Sequence, residues 1–160
     1  MILTVALVIA VACRPFNGGV FLSVFSASQA VQRAFAGDLS RPRLSELTEV
    51  LAIEVNTAAR QVRWSRERQV VAAYQEAVTA MRDYAVVWDL ERRIGSELLP
   101  VGDLPEGLRT TYGISAQQDF LPVFSSVEVM GKIGATVLTR LRAADAELLA
   151  ATGRDANAGR

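Results

Sequence analysis

The chain has 160 residues, and its 17 basic and 17 acidic side chains cancel to a net charge of zero. A neutral chain provides no overall field that attracts nucleic acid, so we expect no nucleic-acid partner. Histidine, the commonest general base and metal ligand, is missing, and a single cysteine excludes an internal disulfide. We therefore expect no catalytic residues, no metal site and no cofactor.

The N-terminal segment is the most distinctive part of the sequence. An uncharged apolar run, residues 2–12, stops at Cys13. Ala10 and Ala12 have the small-residue spacing that signal peptidases accept, and together with Cys13 they resemble a relaxed bacterial lipobox, in which the cysteine is lipidated. We expect residues 1–12 to be a leader, Cys13 to carry the lipid, and the protein to be membrane-associated in the cell envelope, on the periplasmic or extracytoplasmic side.

Two other interpretations of this segment remain open, a retained membrane anchor and a buried helix of the core. The apolar run would extend only ~17 Å as a helix, against ~30 Å for the hydrocarbon core of a bilayer. A longer span through Ser26 would bury Arg14 and the Gly18-Gly19 pair, which is unfavourable in a membrane. A simple transmembrane span is therefore disfavoured relative to a leader.

Steps of three and four between apolar residues predict the rest of the chain to be helical. The predicted helices cover residues 19–36, 43–94 and 122–151. The middle one is either a single rod or two helices with a break between Trp64 and Glu67, where Ser65 could cap the second helix. Residues 152–160 are small and polar and are expected to form a flexible tail.

Residues 95–113 are rich in glycine and proline and predict an ordered loop. Because no convincing alternation of apolar and polar residues occurs, the predicted fold class is all-α, a helical bundle or long helical hairpin formed by one domain, residues 13–151. Within the last helix, Gly131 and Gly134 are small residues three apart, a spacing that allows another helix to approach closely.

Two groups of residues are candidate partner surfaces. Arg60, Arg63 and Arg66 surround Trp64, which suits a protein partner or phospholipid headgroups as well as an ordinary solvated helix junction. The second group lies on the apolar stripe of the predicted middle helix and consists of Met81, Tyr84 and Trp88. The shorter helices, 19–36 and 122–151, are individually too short to cover the long middle helix, so we expect part of its apolar stripe between Val70 and Trp88 to meet another chain, unless it is intramolecular core.

These expectations favour a non-catalytic protein of the bacterial cell envelope. It would be a lipoprotein-like, membrane-tethered helical scaffold or adaptor that binds a protein partner or forms a homo-oligomer. The alternative is a soluble or periplasmic helical module that binds a ligand in a pocket covered by residues 95–113. The two differ in whether an apolar stripe stays exposed or a cavity is enclosed.

Overall fold

The computed structural model describes residues 18–37, 39–115 and 123–152. These residues form five α-helices and two short strands after a 3-10 turn at Gly18–Phe21. The helices are α1 (Leu22–Phe35), α2 (Arg41–Gln61), α3 (Ser65–Ile94), α4 (Glu106–Tyr112) and α5 (Ser126–Ala151), and the strands are β1 (Leu98–Pro100) and β2 (Val123–Ser125). The helices pack against one another, which confirms the predicted all-α bundle. The leader at residues 1–12, Cys13 and residues 153–160 of the tail lie outside the described residues.

The four long helices α1, α2, α3 and α5 form a bundle in which neighbours run antiparallel. Arg41 at the start of α2 binds Asp89 near the end of α3. Tyr74 in the first half of α3 and Gln29 of α1 both bind Asp145 in the last third of α5. The helices therefore alternate in direction around the bundle, in the up-down-up-down arrangement of short-loop helical bundles.

The predicted middle helix is two helices, and residues 62–64 connect them. The Glu67 carboxylate accepts the backbone N–H groups of Arg63 (3.0 Å) and Trp64 (3.3 Å). Because these amides lie at the start of α3, no carbonyl of that helix is available to accept a hydrogen bond from them. Of the two alternatives left open, the structure shows a break, which lies just before the region between Trp64 and Glu67 that the sequence indicated. The side chain that bonds these amides is Glu67, whereas Ser65 was the expected cap.

The segment 95–113 is more regular than the predicted loop. Gly95 ends α3 with a left-handed backbone (φ 70°), which glycine adopts without steric cost. β1 then pairs antiparallel with β2, with Leu99 opposite Phe124. In chain order, α4 lies between the two strands. Strands of three residues are too short for periodicity to reveal, and this explains why the sequence analysis missed them.

The last helix begins at Ser126, a few residues later than predicted. The Ser125 hydroxyl accepts the backbone N–H of Glu128 at 3.4 Å and so caps α5. Val123 and Phe124, which the sequence analysis included in the helix, belong to β2 instead.

The core runs along the bundle axis between the long helices. Its largest fully buried side chains include Tyr74, Leu44, Leu51, Met81, Ile133 and Leu141. Met81 is 0% exposed, so it cannot belong to a partner surface, and this corrects the sequence-based assignment. The reason is that α5 is long enough to pack against α3 over most of its length, and so covers within the chain the stripe that we expected to meet another chain.

The two ends of the bundle differ. At one end, which we call the entry end, the described chain starts at Gly18, α2 turns into α3 at residues 62–64, and α5 finishes at residues 149–152. At the opposite end, residues 36–40 connect α1 to α2, and β1, α4 and β2 pack against the bundle.

Candidate functional site

The entry end carries the first predicted surface, which we call the arginine–tryptophan patch: Arg60, Arg63, Trp64 and Arg66. Arg60 lies in the last turn of α2, Arg63 and Trp64 in the connection, and Arg66 in the first turn of α3. All four residues are exposed, and Trp64 is exposed by 46% even though it is a large apolar side chain. The structure therefore places this part of the predicted surface together and facing solvent.

Two interactions fix the shape of the patch. The buried Glu67 holds the backbone of Arg63 and Trp64 through the two hydrogen bonds described above. Arg66 donates from Nη2 to the carbonyl oxygen of Ala150 at 3.4 Å, which links the start of α3 to the end of α5. The carbonyls in the last turn of a helix have no helical donor, so this guanidinium bonds one of the groups that need a partner.

The local charge is mainly positive. Arg68 is also exposed in the first turns of α3 and adds a fourth cation beside the patch. The acidic residues nearest along these helices are Glu67, which is buried, Glu54, which is half-buried, and the exposed Glu147. A neutral protein thus has a local excess of arginine at one end, a distribution that net charge alone conceals.

An apolar pocket of about 250 Å³ lies at the same end, between the start of α1 and the end of α5. Its lining residues are Gly18, Gly19, Phe21, Leu22, Phe25, Leu148, Leu149 and Thr152. Leu22, which lines this pocket, is 60% exposed. The entry end therefore combines cations, an exposed indole ring and accessible apolar surface.

Tyr84 and Trp88 lie away from the patch and take part in packing within the chain. Tyr84 makes edge-to-face contacts with Phe35 (ring centroids 5.3 Å apart) and with Trp88 (5.8 Å). Both residues are half-buried, and burial, with a smaller effect of Glu91, raises the pKa of the Tyr84 hydroxyl. The structure therefore does not bring these two aromatic residues together with the arginines.

Sequence reasoning missed a groove between α2 and α3 with a volume of about 420 Å³. Ala52 and Ala85 lie in this groove, and the apolar side chains of Ile53 and Val86 are exposed beside it. The available signal was that Ile53 and Val86, each directly after an alanine, are large apolar residues outside the core stripe.

Sequence reasoning also missed a polar cluster in the core, centred on Asp145. This carboxylate is 6% exposed and accepts hydrogen bonds from Tyr74, Gln29 and Gln32. Its position between Leu141 and Leu148, four and three residues away, could have placed it on the core face of α5.

Among the described residues, we find no group of three or more acidic or cysteine side chains arranged to hold a metal ion. In the same part of the chain, no helix has the length and apolar character needed to cross a membrane. Comparison with protein-family models, curated proteins and solved structures finds no match to this chain.

Proposed function

We propose that this protein is a non-catalytic component of the bacterial cell envelope, tethered to a membrane through a lipid on Cys13, whose helical bundle is a scaffold or adaptor for a protein partner. The observation that carries the proposal is the position of Gly18. It lies at the end of the bundle that also holds the arginine–tryptophan patch and the apolar pocket.

The position of Gly18 matters because it lies only a few residues after Cys13. Residues 14–17 separate the proposed lipid site, Cys13, from Gly18, and the five steps from Cys13 to Gly18 span at most about 18 Å even when fully extended. A lipid on Cys13 would therefore hold the entry end within that distance of the bilayer surface.

The scaffold role needs a surface for a partner, and the groove between α2 and α3 is suited to this role. Ile53 is 54% exposed beside the small Ala52, and Val86 is exposed on the facing helix. Glu49 and Arg82 add opposite charges on the two sides of the groove. A second copy of the chain, related by a two-fold axis, would place each Glu49 near the other copy's Arg82 and cover the apolar residues of both.

The alternative of a ligand-binding module covered by residues 95–113 has less support. Leu99, Leu104 and Leu108 anchor that segment in the core of the opposite end. The apolar pocket described above lies at the entry end. At about 250 Å³, it is also below the usual range of small-molecule sites, ~300–1,000 Å³.

Mass spectrometry of the protein from its native host tests the tether. We expect the mature chain to begin at Cys13 with the added mass of a diacylglycerol, and we expect Cys13→Ser to block processing or release the protein from the membrane fraction. Recovery of an unmodified chain that begins at Met1 would overturn the proposed function.

A further inference from the structure

We propose that the arginine–tryptophan patch binds the headgroups of anionic phospholipids, so that the bundle rests with its entry end on the membrane surface. This inference rests on the proposed membrane location. It goes further, because a tether alone leaves the orientation of the bundle undetermined. The partner is thus an anionic lipid surface, and its recognition depends on three features of the entry end.

The first feature is charge of the right chemical kind. Arg60, Arg63 and Arg66 are exposed in and around the connection between α2 and α3, and Arg68 follows in α3. The planar guanidinium group presents paired N–H donors that match two phosphate oxygens, which a lysine ammonium group does not. Each basic residue near an anionic leaflet contributes about 1 kcal/mol, which corresponds to about fivefold in affinity.

The second feature is the exposed indole ring of Trp64. Tryptophan is enriched at the headgroup level of membranes, because its ring is apolar and its N–H group is polar. Trp64 lies in the connection between two helices, at an extremity of the bundle, and the Glu67 carboxylate fixes the backbone that carries it. This geometry places the ring where it can contact a flat surface without any rearrangement of the fold.

The third feature is the apolar surface beside the chain entry. Leu22 and the pocket between α1 and α5 lie at the entry end, next to the segment that would lead to a lipidated Cys13. Arg66 reaches the carbonyl of Ala150, so the cations extend to the part of α5 that ends at this pocket. An interfacial surface of this kind, basic and apolar together, binds anionic membranes more strongly than either component alone.

The test uses the full chain with Cys13→Ser, which removes the lipid, and measures sedimentation with phosphatidylcholine vesicles that contain or lack phosphatidylglycerol. Comparison of the two vesicles isolates the charge-dependent part of binding, because residues 2–12 carry no charged side chain. We expect binding to the anionic vesicles that weakens as salt is added. Substitution of Arg60, Arg63 and Arg66 by glutamine should reduce that affinity by about a hundredfold.

A matched control replaces three exposed arginines of the opposite end, Arg33, Arg92 and Arg93, by glutamine. The net charge changes equally, so a specific patch predicts that this variant binds like the parent. Equal loss of binding in both triple variants, or equal binding of the parent to both vesicles, would overturn the proposal. If the parent fails to bind anionic vesicles, the patch serves another partner, and the proposal is also overturned.

Fluorescence provides a second readout that needs no substitution in the patch. The chain has two tryptophans, so Trp88→Phe leaves Trp64 as the only indole. Its emission should shift to shorter wavelength on anionic vesicles only, and an unchanged spectrum at saturating lipid counts against the proposal. The mass of the mature N-terminus tests the tether separately, so a lipidated Cys13 without vesicle binding would refute this inference and leave the proposed function standing.

Discussion

The hydroxyl of Tyr74 donates a 2.6 Å hydrogen bond to Oδ1 of Asp145 and so connects α3 to α5 inside the bundle. Oδ2 of the same carboxylate accepts from Nε2 of Gln29 (2.8 Å) and Gln32 (2.7 Å) on α1. A buried carboxylate is costly unless donors surround it, and here three neutral side chains from two other helices supply them. The cluster fixes the relative register of three helices, a task that apolar side chains alone do less specifically.

We expect Tyr74→Phe to lower the free energy of unfolding by about 1–3 kcal/mol, because it leaves a buried acceptor with one donor fewer. Urea denaturation followed by circular dichroism measures the change. Tyr112→Phe is the matched control, since Tyr112 donates to Asp83 at 2.7 Å in a less buried position. A loss as large for Tyr112→Phe as for Tyr74→Phe would contradict the importance given to the buried cluster.

The three tyrosines should resist ionisation as long as the protein is folded. Burial, reinforced by hydrogen bonds to Asp145 and Asp83, raises the pKa of Tyr74 and Tyr112 well above the ordinary value of 10.0, and burial also raises the pKa of Tyr84. Unfolded tyrosines ionise near that ordinary value. The contribution of the three hydroxyls to stability is therefore complete below about pH 10 and is lost as the pH rises from there towards the folded pKa values.

Near-ultraviolet absorbance during an alkaline titration measures this directly. We expect Tyr74 and Tyr112 to give no tyrosinate signal until the helical circular dichroism is lost, so that most of the rise coincides with unfolding. The denaturant-unfolded chain is the control and should titrate near pH 10. A signal near pH 10 equal to that of the unfolded chain while the helical spectrum is intact would refute the prediction.

The two glycines of α5 should respond differently to substitution, although from the sequence both were predicted to allow the close approach of another helix. A Cβ at Gly131 would meet open space, whereas one at Gly134 would lie 3.4 Å from Cε2 of Tyr84 and 3.6 Å from the ring of Phe35. We expect Gly131→Ala to raise the free energy of unfolding by about 0.5–1 kcal/mol through helix propensity. Gly134→Leu should lower it by about 1–3 kcal/mol, because the larger side chain must displace those rings.

Thermal or urea denaturation of the two variants tests this difference. Gly131→Leu is the control for side-chain size, because its position is exposed on the helix surface. Similar stability of the two leucine variants would show that Gly134 is not a contact point between α5 and its neighbours.

Helical periodicity was sufficient to predict the fold class and the approximate bounds of the long helices. It also indicated the approximate place of a possible break, because the apolar stripe loses its phase between Val62 and Val70, but it left a single uninterrupted helix open. It could not predict the strands at residues 98–100 and 123–125, whose pairing depends on contacts distant in sequence. The arginine–tryptophan patch was visible because its members are adjacent in sequence, but its location beside Gly18 depends on how the helices fold together.

Met81 shows the limit of the same reasoning. Periodicity identified it correctly as part of an apolar stripe but could not tell whether α5 or another chain would cover it. Because Met81 is fully buried, Met81→Glu would place an unpaired charge in the core. We expect it to lower the free energy of unfolding by several kcal/mol and to reduce the helix content. Circular dichroism of the variant checks this, and a folded variant with native stability would contradict the assignment to the core.

The groove between α2 and α3 provides the final prediction. We expect the protein to form a two-fold dimer through this groove, because Ile53 and Val86 are exposed apolar residues and Glu49 and Arg82 supply opposite charges in the same groove. Analytical ultracentrifugation of Cys13→Ser should show a concentration-dependent dimer. Ile53→Glu combined with Val86→Glu should leave a folded monomer, since both side chains are already exposed and a carboxylate is solvated there.

Val127→Glu is the control, because Val127 is exposed on α5, a helix that does not line this groove. The control should dimerise like the parent and retain the same helicity. A monomeric parent at high concentration would exclude the dimer, and equal dissociation of the control would place the contact elsewhere on the bundle. Suppose that only the groove variant becomes monomeric and that its helical spectrum stays unchanged. The unchanged spectrum would show that the core is intact, so the loss of the dimer would identify the face between α2 and α3 as an interface between copies.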